Sequence, residues 1–102
     1  MSNITQERME LITRILQGDG KASREQRGAA FANADVPKPL RALIDKVTMN
    51  AYLVTDNDVV AAKTSGLSEH QIFEMVVCAT IGQADRQYEQ ALAALEAAAK
   101  EA

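Results

Sequence analysis

Aromatic side chains are scarce in this 102-residue sequence, which has two tyrosines, two phenylalanines and no tryptophan. Its core must therefore be built from Leu, Ile, Val, Ala and Met, the bulk of a 47% hydrophobic composition. A single cysteine, Cys78, excludes an intrachain disulfide framework and fits a reducing setting. The lone histidine, His70, excludes catalysis that relies on several. No run approaches the roughly 20 apolar residues of a membrane span. The polar opening Met1–Arg8 has no apolar core of a secretion signal, so a cytoplasmic location is expected. Lys and Arg nowhere cluster, and a net charge of −3 argues against nucleic-acid and anionic-membrane partners. Gly-rich nucleotide loops, a P-loop and a Ser-His-Asp order are all missing, and neither a cofactor nor a metal is expected.

What is present is helical periodicity in a single short domain. Residues 3–17 place Ile4, Leu11, Ile12, Ile15 and Leu16 at helical spacing, and Gly18 and Gly20 end that segment. Ser23-Arg24-Glu25-Gln26 is a capping box opening a short helix through Phe31. Pro37 and Pro39 fit an extended entry or a first helical turn. The pattern then predicts helices over 40–53, over 56–65 with Thr55 and Asp58 as a capping pair and Gly66 as a stop, and over 68–82. A last segment, 83–100, carries Ala84, Tyr88, Ala91, Leu92 and Leu95 on one side. No strand alternation competes, so the fold class is all-α with five or six helices.

The stretch Ser68–Gly82 is the predicted centre, because it is apolar on almost every side and such a helix is buried from several directions. Ser68 and Gln71 form another capping box, and Gly82 is read as the helix end or a sharp bend. Glu74 stands out, since a lone carboxylate is costly to bury unless paired, hydrogen-bonded or protonated. His70, Glu74 and Cys78, at i, i+4 and i+8, share one side of this helix over about 12 Å. They read as a candidate base, acid and thiol, or more plainly as an exposed first-turn histidine, a structural acid and a small buried hydrophobe. Arg86 is the expected partner of Glu74, against the alternative of a solvated residue beside Asp85 and Glu89. Tyr52 and Tyr88 suit a pocket wall or simple core packing, and Asp56 and Asp58 a helix start.

The stretch from Asn50 to Glu69, with its Ala61-Ala62-Lys63 and Gly66-Leu67-Ser68-Glu69 join, is followed by Ile72-Phe73-Glu74-Met75-Val76-Val77. It resembles the carboxymuconolactone decarboxylase and alkylhydroperoxidase D-like (AhpD-like) superfamily. The resemblance is strongest over residues 40–97, with residues 1–36 as N-terminal helices of the same domain, and it implies an all-helical homo-oligomer. The peroxidase branch carries Cys-x-x-Cys-x-x-x-His before the Gly-Leu-Ser join. Those positions fall here on Ala51, Val54 and Asp58, so dithiol peroxide reduction does not carry over. The histidine usual in the decarboxylase branch is also replaced by Asp58.

Three expectations follow. The first is a small-molecule pocket, for a carboxylate or a lactone, at a helix or subunit interface. Glu74 would be its acid or base, Arg86 and Asp58 further candidate catalytic residues, and Tyr52, His70, Cys78 and Tyr88 its lining. The second is a non-catalytic oligomeric scaffold of the same fold, and the third a residual peroxidase using Cys78 alone.

Overall fold

The structure, a computed structural model, describes residues 2–101. It is all-α, with no strand among the described residues. The helices are α1 (Ser2–Gln17), α2 (Arg24–Ala32), α3 (Lys38–Met49), α4 (Asp56–Lys63) and α5 (Glu69–Glu101), with a 3-10 turn at Ala51–Leu53. Three helices start at reciprocal caps that satisfy their first free N–H groups. Before α2, Ser23 Oγ accepts from the Gln26 N–H at 3.0 Å, and Gln26 Oε1 accepts from the Ser23 N–H at 2.9 Å. Thr55 and Asp58 do the same for α4, and Ser68 and Gln71 for α5.

Three of the expected segments have other bounds, and the one expected over 56–65 ends at Lys63. The segment expected as a helix over 40–53 begins at Lys38 and ends at Met49. Pro39 is tolerated in the first turn, where its missing N–H would have no intrahelical acceptor. Asn50, at φ −153° and ψ 64°, leaves the helical region, and the chain resumes as the 3-10 turn. The larger change is at Gly82, which neither ends nor bends a helix: α5 runs unbroken through it for 33 residues.

Packing accounts for Gly82. The C-terminal end of α2 crosses α5 there, and a Cβ on Gly82 would fall on the backbone carbonyl of Phe31. The glycine is thus a contact point between backbones, and its cost in helix propensity, about 1 kcal/mol, is offset by that close approach. One turn later Arg86 Nη1 donates to the same Phe31 carbonyl at 2.7 Å, satisfying an end carbonyl of α2. The helix α2 makes the most extensive contact with α5. On α3, Leu40, Leu43 and Ile44 join Ile72, Met75 and Ala79 of α5 in one aliphatic core. The buried residues of α5 all lie between Ile72 and Gly82, and Phe73 within that stretch is 62% exposed. The central helix is therefore enclosed from several sides but not from all.

Gly82→Ala should lower stability by about 1–3 kcal/mol through overpacking. Gly28→Ala, on a face of α2 with nothing within 4 Å, should raise it by about 0.5–1 kcal/mol. Denaturant unfolding of both variants reads the two opposite signs, and a stabilised Gly82→Ala would contradict the crossing.

Candidate functional site

The loop between α1 and α2, residues 18–23, is short, rich in glycine and unable to satisfy its own backbone. Two side chains of opposite charge do so. Arg27 of α2, only 5% exposed, donates through Nη1 to the carbonyls of Ile15 at 3.1 Å and Gly18 at 2.7 Å. Its Nε also donates to the Ser23 carbonyl at 3.4 Å. The first two carbonyls close the C-terminal turn of α1, where a cation is favoured by the free carbonyls and the helix dipole. From the other side Glu74 of α5 accepts the Lys21 N–H at 2.9 and 2.8 Å on its two oxygens, and the Ala22 N–H at 3.4 Å. Gln71 completes the hold by donating to the Lys21 carbonyl at 3.0 Å. A Cβ on Gly20 would collide with the Glu74 carboxylate, so this residue type lets the loop reach α5.

Above this clasp lies an open cleft between α1, the loop and the first turns of α5. Its walls are Ile15, Phe73 and Val77, and Arg14, Lys21, Arg27 and His70 bring basic groups to it, against the carboxylates of Asp19 and Glu74. Cys78 lies at its base. Among the described residues Arg27 Nη2 makes no hydrogen bond, so one face of a buried guanidinium remains unused. His70 Nε2 stands 3.5 Å from Glu74 Oε2 on an imidazole that is largely exposed. The Cys78 thiol donates to the Ile15 carbonyl at 3.8 Å. Burial pushes its pKa above the ordinary cysteine range, partly opposed by the Arg27 charge and reinforced by that of Glu74. Among the described residues no three His, Cys, Asp or Glu side chains gather as a metal site would need.

Set against protein-family models, curated proteins and solved structures, the chain matches none. Its chemistry must be read from its own residues.

His70, Glu74 and Cys78 thus share one cleft. The other expected site residues lie elsewhere. Arg86 does not pair with Glu74: on an unbroken helix twelve residues separate them by about 18 Å, and Arg86 is bound to Phe31 and, at 3.1 Å, to Gln83 Oε1. Asp58 caps α4, accepting from Lys46 Nζ at 2.9 Å and the Thr55 N–H at 2.9 Å. Tyr52 sits on the 3-10 turn and is 83% exposed. Tyr88 lies far along α5, its ring 4.9 Å from the Arg8 guanidinium, while Arg8 Nε lies 2.7 Å from Asp85 Oδ1. Sequence reasoning missed Arg27, Arg14 and Lys21. A signal for Arg27 was available: it falls at i, i+3, i+4 with Ala30 and Phe31 on the inward stripe of α2, where a charge needs a reason.

The hydrogen bond from Lys46, followed by that from the Thr55 N–H, holds the Asp58 carboxyl below its ordinary range. A depressed folded value means that its contribution is complete above the unfolded pKa and is lost as pH falls through the folded one. The gap in melting temperature between wild type and Asp58→Asn should therefore be largest near neutral pH and shrink towards about pH 3. A pH-independent gap would contradict this role.

Proposed function

We propose that this chain is an AhpD-like helical domain that binds a small carboxylate-bearing molecule in the cleft between α1, the 18–23 loop and α5. The observation that carries the reading is the charge of that cleft. A protein of net charge −3 gathers two arginines, a lysine and its one histidine there, against the two carboxylates of Asp19 and Glu74, around an apolar wall. Both oxygens of Glu74 are already hydrogen-bonded to the backbone of the loop. Its place in this reading is to position the loop, with Lys21, at the edge of the cleft. Arg27 Nη2 and the Arg14 guanidinium supply the planar, charge-assisted donors that suit a carboxylate. Phe73, exposed at the rim, offers an apolar body for the rest of the ligand. The raised thiol pKa of Cys78 withholds the thiolate that a peroxidase would need.

A second reading, a self-associating scaffold of the same fold, rests on a different observation, the exposure of Ile4, Met9 and Leu11 on α1 and of Leu95 on the far half of α5. The two readings are compatible, since their surfaces are separate.

An NMR titration with an aromatic carboxylate, its primary amide and a lactone of similar size tests the first reading. The carboxylate should give saturable shifts at the amides of Lys21, Phe73 and Val77, and the amide should bind more weakly. Arg14→Gln should weaken the carboxylate by about tenfold or more, the worth of one charge-assisted hydrogen bond of ~1.5–3 kcal/mol. No saturable shift, or equal binding of acid and amide, would remove the assignment.

A further inference from the structure

The far half of α5 has no core. Every buried residue of this helix lies at or before Gly82, yet it continues to Glu101. That tail of nineteen residues extends about 28 Å; Arg86 at its start reaches the end of α2, and α1 lies against it through Arg8 beside Asp85, Tyr88 and Glu89. A helix half with so little tertiary packing is marginal in water even when rich in alanine. The molecule is correspondingly long, 53 × 29 × 20 Å, with a radius of gyration of 15.6 Å where a chain of this length packs to about 13 Å.

One side of this arm is patterned, half-buried at Ile81 and Tyr88 and exposed at its other positions. Ile81, Ala84, Tyr88, Ala91, Leu95 and Ala98 follow one another at alternating spacings of three and four, a heptad seam without a charged residue. Ala84, Ala91, Leu95 and Ala98 are exposed, Leu95 at 68%. On α1, Ile4 and Leu11 are seven residues apart and are exposed at 57% and 44%. The charged neighbours Arg86, Glu89, Glu96 and Lys100 fall outside the seam. Area gives an independent measure. A folded monomer of 11.1 kDa exposes about 5,700 Å², whereas this chain exposes 6968 Å². The excess, roughly 1,300 Å², is more than the ~800 Å² that each partner covers in an interface of standard size.

We infer that the α1/α5 arm is the surface on which a second copy of this chain docks, arm against arm, so that two helical pairs complete a four-helix bundle. This rests on the self-associating reading above and names its surface. A second copy fits because its seam is the same uncharged heptad and because an isologous contact needs one self-complementary patch. Alternating small and large residues let two such helices approach closely and interdigitate.

Sedimentation velocity on the full chain tests it, with wild type compared to Ala91→Glu, Leu95→Glu and Phe73→Glu. The first two positions are exposed in the monomer, so both variants should keep its helicity by circular dichroism. The expected result is a wild-type dimer at tens of micromolar. Its dissociation constant should rise by tenfold or more in Ala91→Glu and Leu95→Glu and stay unchanged in Phe73→Glu, which lies on the body. Wild type monomeric at millimolar concentration would overturn both this surface and the scaffold reading. A wild-type assembly untouched by the two arm variants would overturn the surface alone and leave self-association standing.

Discussion

Two charges on different helices close the backbone of one loop, and the rest of the N-terminal half depends on that closure. Arg27 takes the carbonyls that end α1, and Glu74 takes the N–H groups that follow them. Neither charge is paired directly with the other. Each is compensated by backbone dipoles, which is how a 5%-exposed arginine and a half-buried glutamate coexist in a small aliphatic core. Because α1 reaches the body mainly through this loop and a few contacts with α2 and α5, the clasp sets where α1 lies and so where the cleft is. A hydrogen bond to a charged group contributes about 1.5–3 kcal/mol, a sizeable share of the stability of a domain this small.

The same arrangement separates two roles that one acid could have played. A carboxylate whose oxygens are held by backbone N–H groups serves as an anchor, and Arg14, Lys21, His70 and the free edge of Arg27 face the cleft beside Asp19. In the proposed function Glu74 accordingly holds the loop and is not the group that transfers a proton. The body and the arm then divide the molecule. The body holds the clasp, the cleft and nearly all of the core, while the arm carries a patterned apolar surface and little packing of its own.

Much of this architecture was legible in the residues. The Ser23, Thr55 and Ser68 caps name their helices, because each pairs a hydroxyl with an acceptor three residues on, and that chemistry is local. Glu74 was legible as an anomaly, since a carboxylate among Ile72, Phe73, Met75 and Val76 demands compensation. Its partner was not, because backbone N–H groups carry no side-chain signature and arginine is the obvious guess. Gly82 failed for a related reason. Helix-stop chemistry and close backbone packing both select glycine, and only the path of α2 tells them apart. Tyr52 and Tyr88 were drawn towards the site by side-chain type and Asp58 by the position that the resemblance gives it, whereas the fold sends the tyrosines to a surface turn and the arm and leaves Asp58 at the cap that its spacing from Thr55 had also predicted.

The measurement that bears most directly on this account is amide hydrogen exchange at Lys21 and Ala22 in wild type and Glu74→Ala, with Met75 and Ala79 in the core as references. Removing the acceptor should speed exchange at the two loop amides far more than at the core amides, because the loop opens while α5 stays folded. Protection at Lys21 and Ala22 that survives the substitution would mean that Glu74 does not hold the loop, and the clasp as described would be wrong.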